Sequence, residues 1–148
     1  MSEMKIDQDR AITFAAACNN VAYELEEGVI TKLATGTAYS EKDDCYCAIG
    51  HVMRELGHDA KQNLDKRDWN SFFCEHLQPE TKQDPNKGNS RFPAKLYLFV
   101  NTLMCNLYSE NDNSRNYNQC VVATKEGLEH VAEALRSTGE TVLAKAFK

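Results

Sequence analysis

The stretch "DDCYCAIGHVMRELGHD", Asp43 to Asp59, gathers two cysteines, two histidines, an arginine and a glutamate around a short apolar stripe. Three chemistries are open to such a set. The first is zinc. Structural zinc takes four nitrogen or sulfur ligands in a tetrahedron. Cys45, Cys47, His51 and His76 could supply them, with Cys74 as a further thiol in the "CEH" segment. The Cys-x-Cys spacing is not the usual one for such a site, and the second Cys/His pair is arranged differently from the first. The second chemistry is nucleophilic. A cysteine at a helix N-terminus feels the positive end of the macrodipole, which favours thiolate. Cys47 fits that placement. Its base would be His76 or His130, or His51 one turn along, and the orienting group Asp112 or Asn111. Cys47, His76 and Asp112 are the catalytic set this reading selects. The third is anion binding, with the backbone N–H groups at the helix start helped by His51 and Arg54. No glycine-rich phosphate loop accompanies them. Gly50 reads as a place where a neighbouring element comes close.

Spacing organises this stretch. On a helix starting at Cys47 or Ala48 and ending at Gly57, the residues Ala48, Ile49, Val52, Met53 and Leu56 share one face. Cys47, His51, Arg54 or Glu55, and His58 then form a contiguous ridge on the other. The plain reading of that ridge is a solvated helix face. The functional reading is a binding surface made of Cys47, His51, Arg54 and His58. A second polar segment, "SENDNSRN", reads as a turn, because Asn and Asp bond to their own backbone and tolerate left-handed conformations. As an alternative, Glu110, Asp112 and Asn113 could offer oxygens to Mg²⁺ or Ca²⁺, although the spacing does not match a calcium loop.

The elements that must carry these residues are mostly helical. Apolar residues from Ala11 to Leu25 recur at helical spacing and predict a helix over Asp7 to Glu27, with Gly28 just past its end. "VITKLATGTAY" is a short turn or extended piece. "TGTAYSEKDDCYC" predicts a hairpin turning at Ser40 to Asp44, so that Cys45 ends a strand and Cys47 starts a helix. A helix from about Asp65 to Leu77 puts Trp69, Phe72 and Phe73 on a core face. Residues 78–92 hold no apolar periodicity and are expected to form a mobile loop, a second candidate contact surface. The next helix is predicted over Pro93 to Tyr108, with Leu96, Phe99, Val100, Leu103, Met104 and Leu107 as its stripe. A turn-rich connector follows, then a short extended piece at Cys120 to Ala123. A last helix is capped by Thr124 and ended by Gly139, and "ETVLAKAFK" adds a further turn or two. The expected fold is therefore a single, mostly α domain over residues 1–148, with about five helices and one small β-hairpin or short sheet.

Composition narrows the function classes. The chain has 148 residues, 42% of them hydrophobic, and a net charge of −5. Its Lys and Arg residues are scattered, so generic nucleic-acid binding is not expected. No segment has the ~20 apolar residues of a membrane span. The charged start "MSEMKIDQDR" lacks a secretory h-region, so a cytoplasmic protein is expected. There the six cysteines are read as free thiols, with Cys18 and Cys105 as small core residues.

Three pieces, "TGTAYSEKDDCYCAIGHVMREL", "LYSENDNS" and "EGLEHVAEALRS", together resemble a loose group of small, uncharacterised proteins of tailed bacteriophages. Those proteins carry a Cys-(Cys/Ala)-aliphatic-Gly segment after a glycine-containing hairpin, then a Leu-Asn-Asp-like turn and a C-terminal amphipathic helix. Here Cys47-Ala48-Ile49-Gly50, Asn111-Asp112 and Val131-Ala132 occupy those places, with Glu110 standing where an aliphatic residue is usual. The match covers about half the chain, and Lys61 to Pro93 lies outside it. The resemblance implies a helical fold with a small hairpin and a role in the bacterial host cytoplasm. It implies a non-enzymatic accessory protein that inhibits or sequesters a host protein or a small defence signal, with no cofactor and with homodimerisation left open. The alternatives carried beside it are a cysteine-dependent hydrolase or transferase centred on Cys47 and a zinc-stabilised interaction module.

Overall fold

The computed structural model describes residues 5–58, 66–79, 93–116 and 120–148. The chain runs α1 (Gln8–Glu26), β1 (Leu33–Ala34), β2 (Tyr39–Ser40), β3 (Cys45–Tyr46), α2 (Ala48–Glu55), α3 (Lys66–Leu77), α4 (Ala94–Asn113), β4 (Val121–Val122) and α5 (Lys125–Ala146). The fold is mostly α with small β elements, as the spacing predicts.

The central packing unit is the antiparallel pair α1 and α5. Gln8 donates to the Ala146 carbonyl at one end, and Arg136 pairs with Glu26 at the other. Between them the helices come unusually close at Gly139. A β-carbon built there would lie 3.2 Å from Ala15 Cα. Gly139 is therefore not the helix terminator its residue type suggests. It is buried mid-helix, and α5 continues through it to Ala146. The cost of a helical glycine, about 1 kcal/mol, is offset by backbone-to-backbone packing against α1.

Capping explains where the helices start. Asp7 accepts from the Arg10 N–H and opens α1, and Thr124 accepts from the Gly127 N–H and opens α5. Gly28 and Gly57, both at positive φ, follow the ends of α1 and α2. The hairpin forms as expected, with Tyr39 opposite Tyr46 and Ser40 opposite Cys45. Asp44 turns it at φ 49° and accepts from the Tyr39 hydroxyl at 2.6 Å. A second small sheet joins pieces distant in sequence. β1 pairs antiparallel with β4, Leu33 opposite Val122.

Helix α4 departs most from expectation. It does not stop at Tyr108 but runs through Ser109, Glu110, Asn111 and Asp112 to Asn113. The first part of the segment that reads as a turn, Ser109 to Asn113, is its last helical stretch, and the chain leaves the helix at Ser114. Cys105, expected in the core, is exposed on this helix, whereas Cys18 is buried in α1. Trp69 and Phe73 are buried and Phe72 is partly so. The predicted loop over residues 78–92 falls, from residue 80 onward, outside the described residues.

Candidate functional site

The last turn of α4 explains the opening stretch. The Asn111 carboxamide is 1% exposed. Its Oδ1 accepts from the Ala48 N–H at 2.9 Å, and its Nδ2 donates to the Ala34 carbonyl at 2.8 Å. One side chain thus satisfies a free N–H at the start of α2 and ties that start to β1. Asp112 beside it accepts from the Gly36 N–H, at 3.3 and 3.2 Å to its two oxygens. Gly36 is at φ 78°, where a β-carbon would be strained. The Asn-Asp pair is therefore a clamp on the β1–β2 connection. The Asp112 oxygens that could have served Mg²⁺ or Ca²⁺ instead accept from the Gly36 N–H and the Asn111 side-chain amide.

The start of α2 is covered from the other side by the bend just before β2. The Ala38 carbonyl accepts from the Cys47 N–H at 2.9 Å. It lies so close to the helix that a β-carbon on Gly50 would sit 2.1 Å from its oxygen. Glycine is required there by close approach.

Cys47 is the N-cap of α2, as its spacing predicts, and its Sγ accepts from the Gly50 N–H at 3.4 Å. The placement does not make it a nucleophile. Burial pushes its thiol up to about 12, against smaller opposing effects of the backbone N–H groups. The macrodipole favours thiolate, but desolvation opposes it more strongly. The proposed partners do not complete the set. Asp112 lies near enough to disfavour the thiolate further. His76 is buried beside Arg10 at the start of α1, and burial lowers its pKa. His130 pairs with Glu110 on the α4–α5 face. The zinc set is likewise separated. Cys45 is buried in the hairpin, and no group of three His, Cys, Asp or Glu side chains suited to a metal ion occurs among the described residues.

The ridge from Cys47 to His58 is not a solvated face either. Cys47 is 3% exposed and His51 is 8% exposed. The hairpin covers the first turn of α2, so Tyr46 packs on the His51 ring and Tyr39 on Tyr46. His51 Nδ1 accepts from Arg54 Nε at 3.3 Å, which places its proton on Nε2. Burial, with Arg54 beside it, lowers the His51 pKa to about 3. Arg54 then reaches Glu24 of α1 at 3.3 Å and Glu55 at 3.4 Å. His58 is half-buried against Phe72. The ridge fastens α2 to the hairpin, α1 and α3.

The site that spacing alone misses lies between α4 and α5. Here a groove of about 420 Å³ opens to solvent. Leu103, Leu107 and Ala134 form its floor, and Glu110, His130, Glu133, Ser137 and Thr141 stand among its walls. The signal was present as polar residues on the outer faces of both helices. It is hidden because Glu110 sits in a segment whose composition reads as a turn. Among the described residues no helix is long and apolar enough to cross a membrane. Compared with protein-family models, curated proteins and solved structures, the chain matches none.

Proposed function

We propose that this chain is a non-enzymatic accessory protein of the tailed-phage kind. It acts by binding a host protein and inhibiting or sequestering it, and the α4–α5 groove is its contact surface. The observation that carries this reading is the division of labour among polar side chains. Those around Cys47, His51 and Asn111 are buried and bonded within the fold. Most of those of the groove, Glu110, His130, Glu133, Ser137 and Thr141, are exposed or half-exposed over an apolar floor, at a volume within the ~300–1,000 Å³ usual for ligand sites. The resemblance of the hairpin, Asn-Asp and C-terminal helix segments to small phage proteins supports the class. A hydrolase centred on Cys47 is disfavoured by the buried, protonated thiol.

The test is affinity capture from bacterial lysate with three forms of the protein. Wild type and Cys47→Ser should retain the same host protein, and Ser137→Trp, which fills the groove, should lose it. Equal capture by Ser137→Trp, or loss with Cys47→Ser, would contradict the assignment.

A further inference from the structure

We infer that the α4–α5 groove recognises a lysine or arginine side chain of a protein partner. The alkyl stem would lie on Leu103 and Leu107, with the cationic head among the acidic walls. This rests on the groove being the contact surface.

The argument comes from the hydrogen-bond capacity of the walls. Glu110 and Glu133 contribute carboxylates, one from each helix. Glu133 has no ion pair or hydrogen bond among the described residues. The two threonines are also acceptors toward the groove. Thr138 Oγ1 donates its proton to the Ala134 carbonyl at 2.8 Å, and Thr141 Oγ1 donates to the Ser137 carbonyl at 2.9 Å. A hydroxyl that has spent its single proton can only accept from a ligand. Asn106 and Ser137 can serve either way.

Positive charge is largely kept out. Among the described residues no lysine or arginine lines the groove. Arg136 turns away to Glu26 of α1. His130 directs Nε2 at Glu110. Lys145 lies a turn beyond Thr141, with its Nζ 5.8 Å from the centre of the Phe99 ring. A surface rich in acceptors and poor in donors, with an apolar floor, fits a group that is all donor at its tip and apolar along its stem. Ammonium and guanidinium side chains have that make-up. An anionic ligand would face like charge at both carboxylates, and a neutral acceptor-rich ligand would bring them no donor.

The test uses amide NMR spectra of the full chain, titrated with a blocked pentapeptide bearing a central arginine flanked by leucines. The expected result is shifts confined to Glu110, Glu133, Thr138, Thr141 and their neighbours. They should saturate, weaken with added salt, and weaken about tenfold in Glu133→Lys. A peptide with glutamate in place of arginine should leave the spectrum unchanged. Equal shifts from both peptides, or none from either, would overturn the inference. Spermidine binding as tightly as the arginine peptide would overturn the choice of a protein partner. Self-association in sedimentation that Ser137→Trp abolishes would assign the groove to a second copy of this chain instead. Failure of the underlying reading looks different. If Ser137→Trp still captures the host protein, the groove is not the contact surface. If Ser137→Trp loses it and Glu133→Lys keeps it, only the cation recognition fails.

Discussion

Glu110 and Asn111 are neighbours on one helix and have opposite fates. Asn111 turns inward, 1% exposed, and bonds to Ala48 and Ala34. Glu110 turns toward α5 and meets His130 at a half-exposed groove wall. Successive helical residues differ by about 100° around the axis, so one step in sequence separates scaffold from surface. The difference teaches how to weigh reactive residue types. Around Asn111 they are buried, neutralised and bonded, and they specify the fold. Along the groove they keep unspent bonding capacity, which a partner can use.

That contrast sets the sizes of the effects expected from mutation. The largest belongs to Gly50→Ala, which forces a β-carbon into the Ala38 carbonyl, backbone against backbone. We expect a loss of about 3 kcal/mol or more in urea unfolding. A near-neutral result would mean that the bend at Ala38 does not cover α2 closely. Asn111→Ala should cost roughly 2–4 kcal/mol, since it strands a buried N–H and a buried carbonyl together. Asn111→Asp keeps the acceptor for Ala48 but offers a carboxylate to the Ala34 carbonyl, and it should recover only part of that loss.

Acid should act on the same scaffold. The folded-state pKa of His51 is depressed from 6.5 to about 3. The unfolded chain therefore binds more protons than the folded one between those values. Stability is fully present above pH 6.5 and falls as pH drops toward 3, by roughly 2 kcal/mol between pH 7 and 5. His76, lowered by burial as well, acts in the same direction. Urea midpoints measured across this window should fall with pH in wild type and fall less in His51→Gln. An equal slope in the variant would place the acid sensitivity elsewhere.

The smallest stability effects belong to the groove. Glu133→Lys and Ser137→Trp change exposed side chains on α5 and should move stability by no more than about 0.5 kcal/mol. Their consequence is expected in binding alone. A large stability loss in either would show that the groove wall is part of the scaffold.

Much of the fold was legible in local spacing, and the misses share one cause. The start of α1, the hairpin, the split of Cys45 and Cys47 between strand and helix, and the cap at Thr124 all follow from short-range chemistry. The end of α4 did not. Ser, Asn and Asp compete with helical backbone when isolated. Here Asn111 instead finds partners 63 and 77 residues away. Gly139 read as a stop because glycine is a poor helix former, and its reason for being there is Ala15 on another helix. His51 and Cys47 read as surface because periodicity gives the faces of a helix but not what covers each face. The hairpin that covers this one precedes it directly, so its pairing was foreseeable and its docking was not.

The central claim is that the Cys47 region is scaffold and not a reactive site, and native-state alkylation tests it most directly. Iodoacetamide labelling at neutral pH, followed residue by residue with mass spectrometry, compares all the cysteines in one sample. Cys105 and Cys120 are exposed and should label at the rate of ordinary free thiols, while Cys47 should label only on unfolding, together with Cys18. Labelling of Cys47 in the folded protein as fast as Cys105, or faster, would contradict the account.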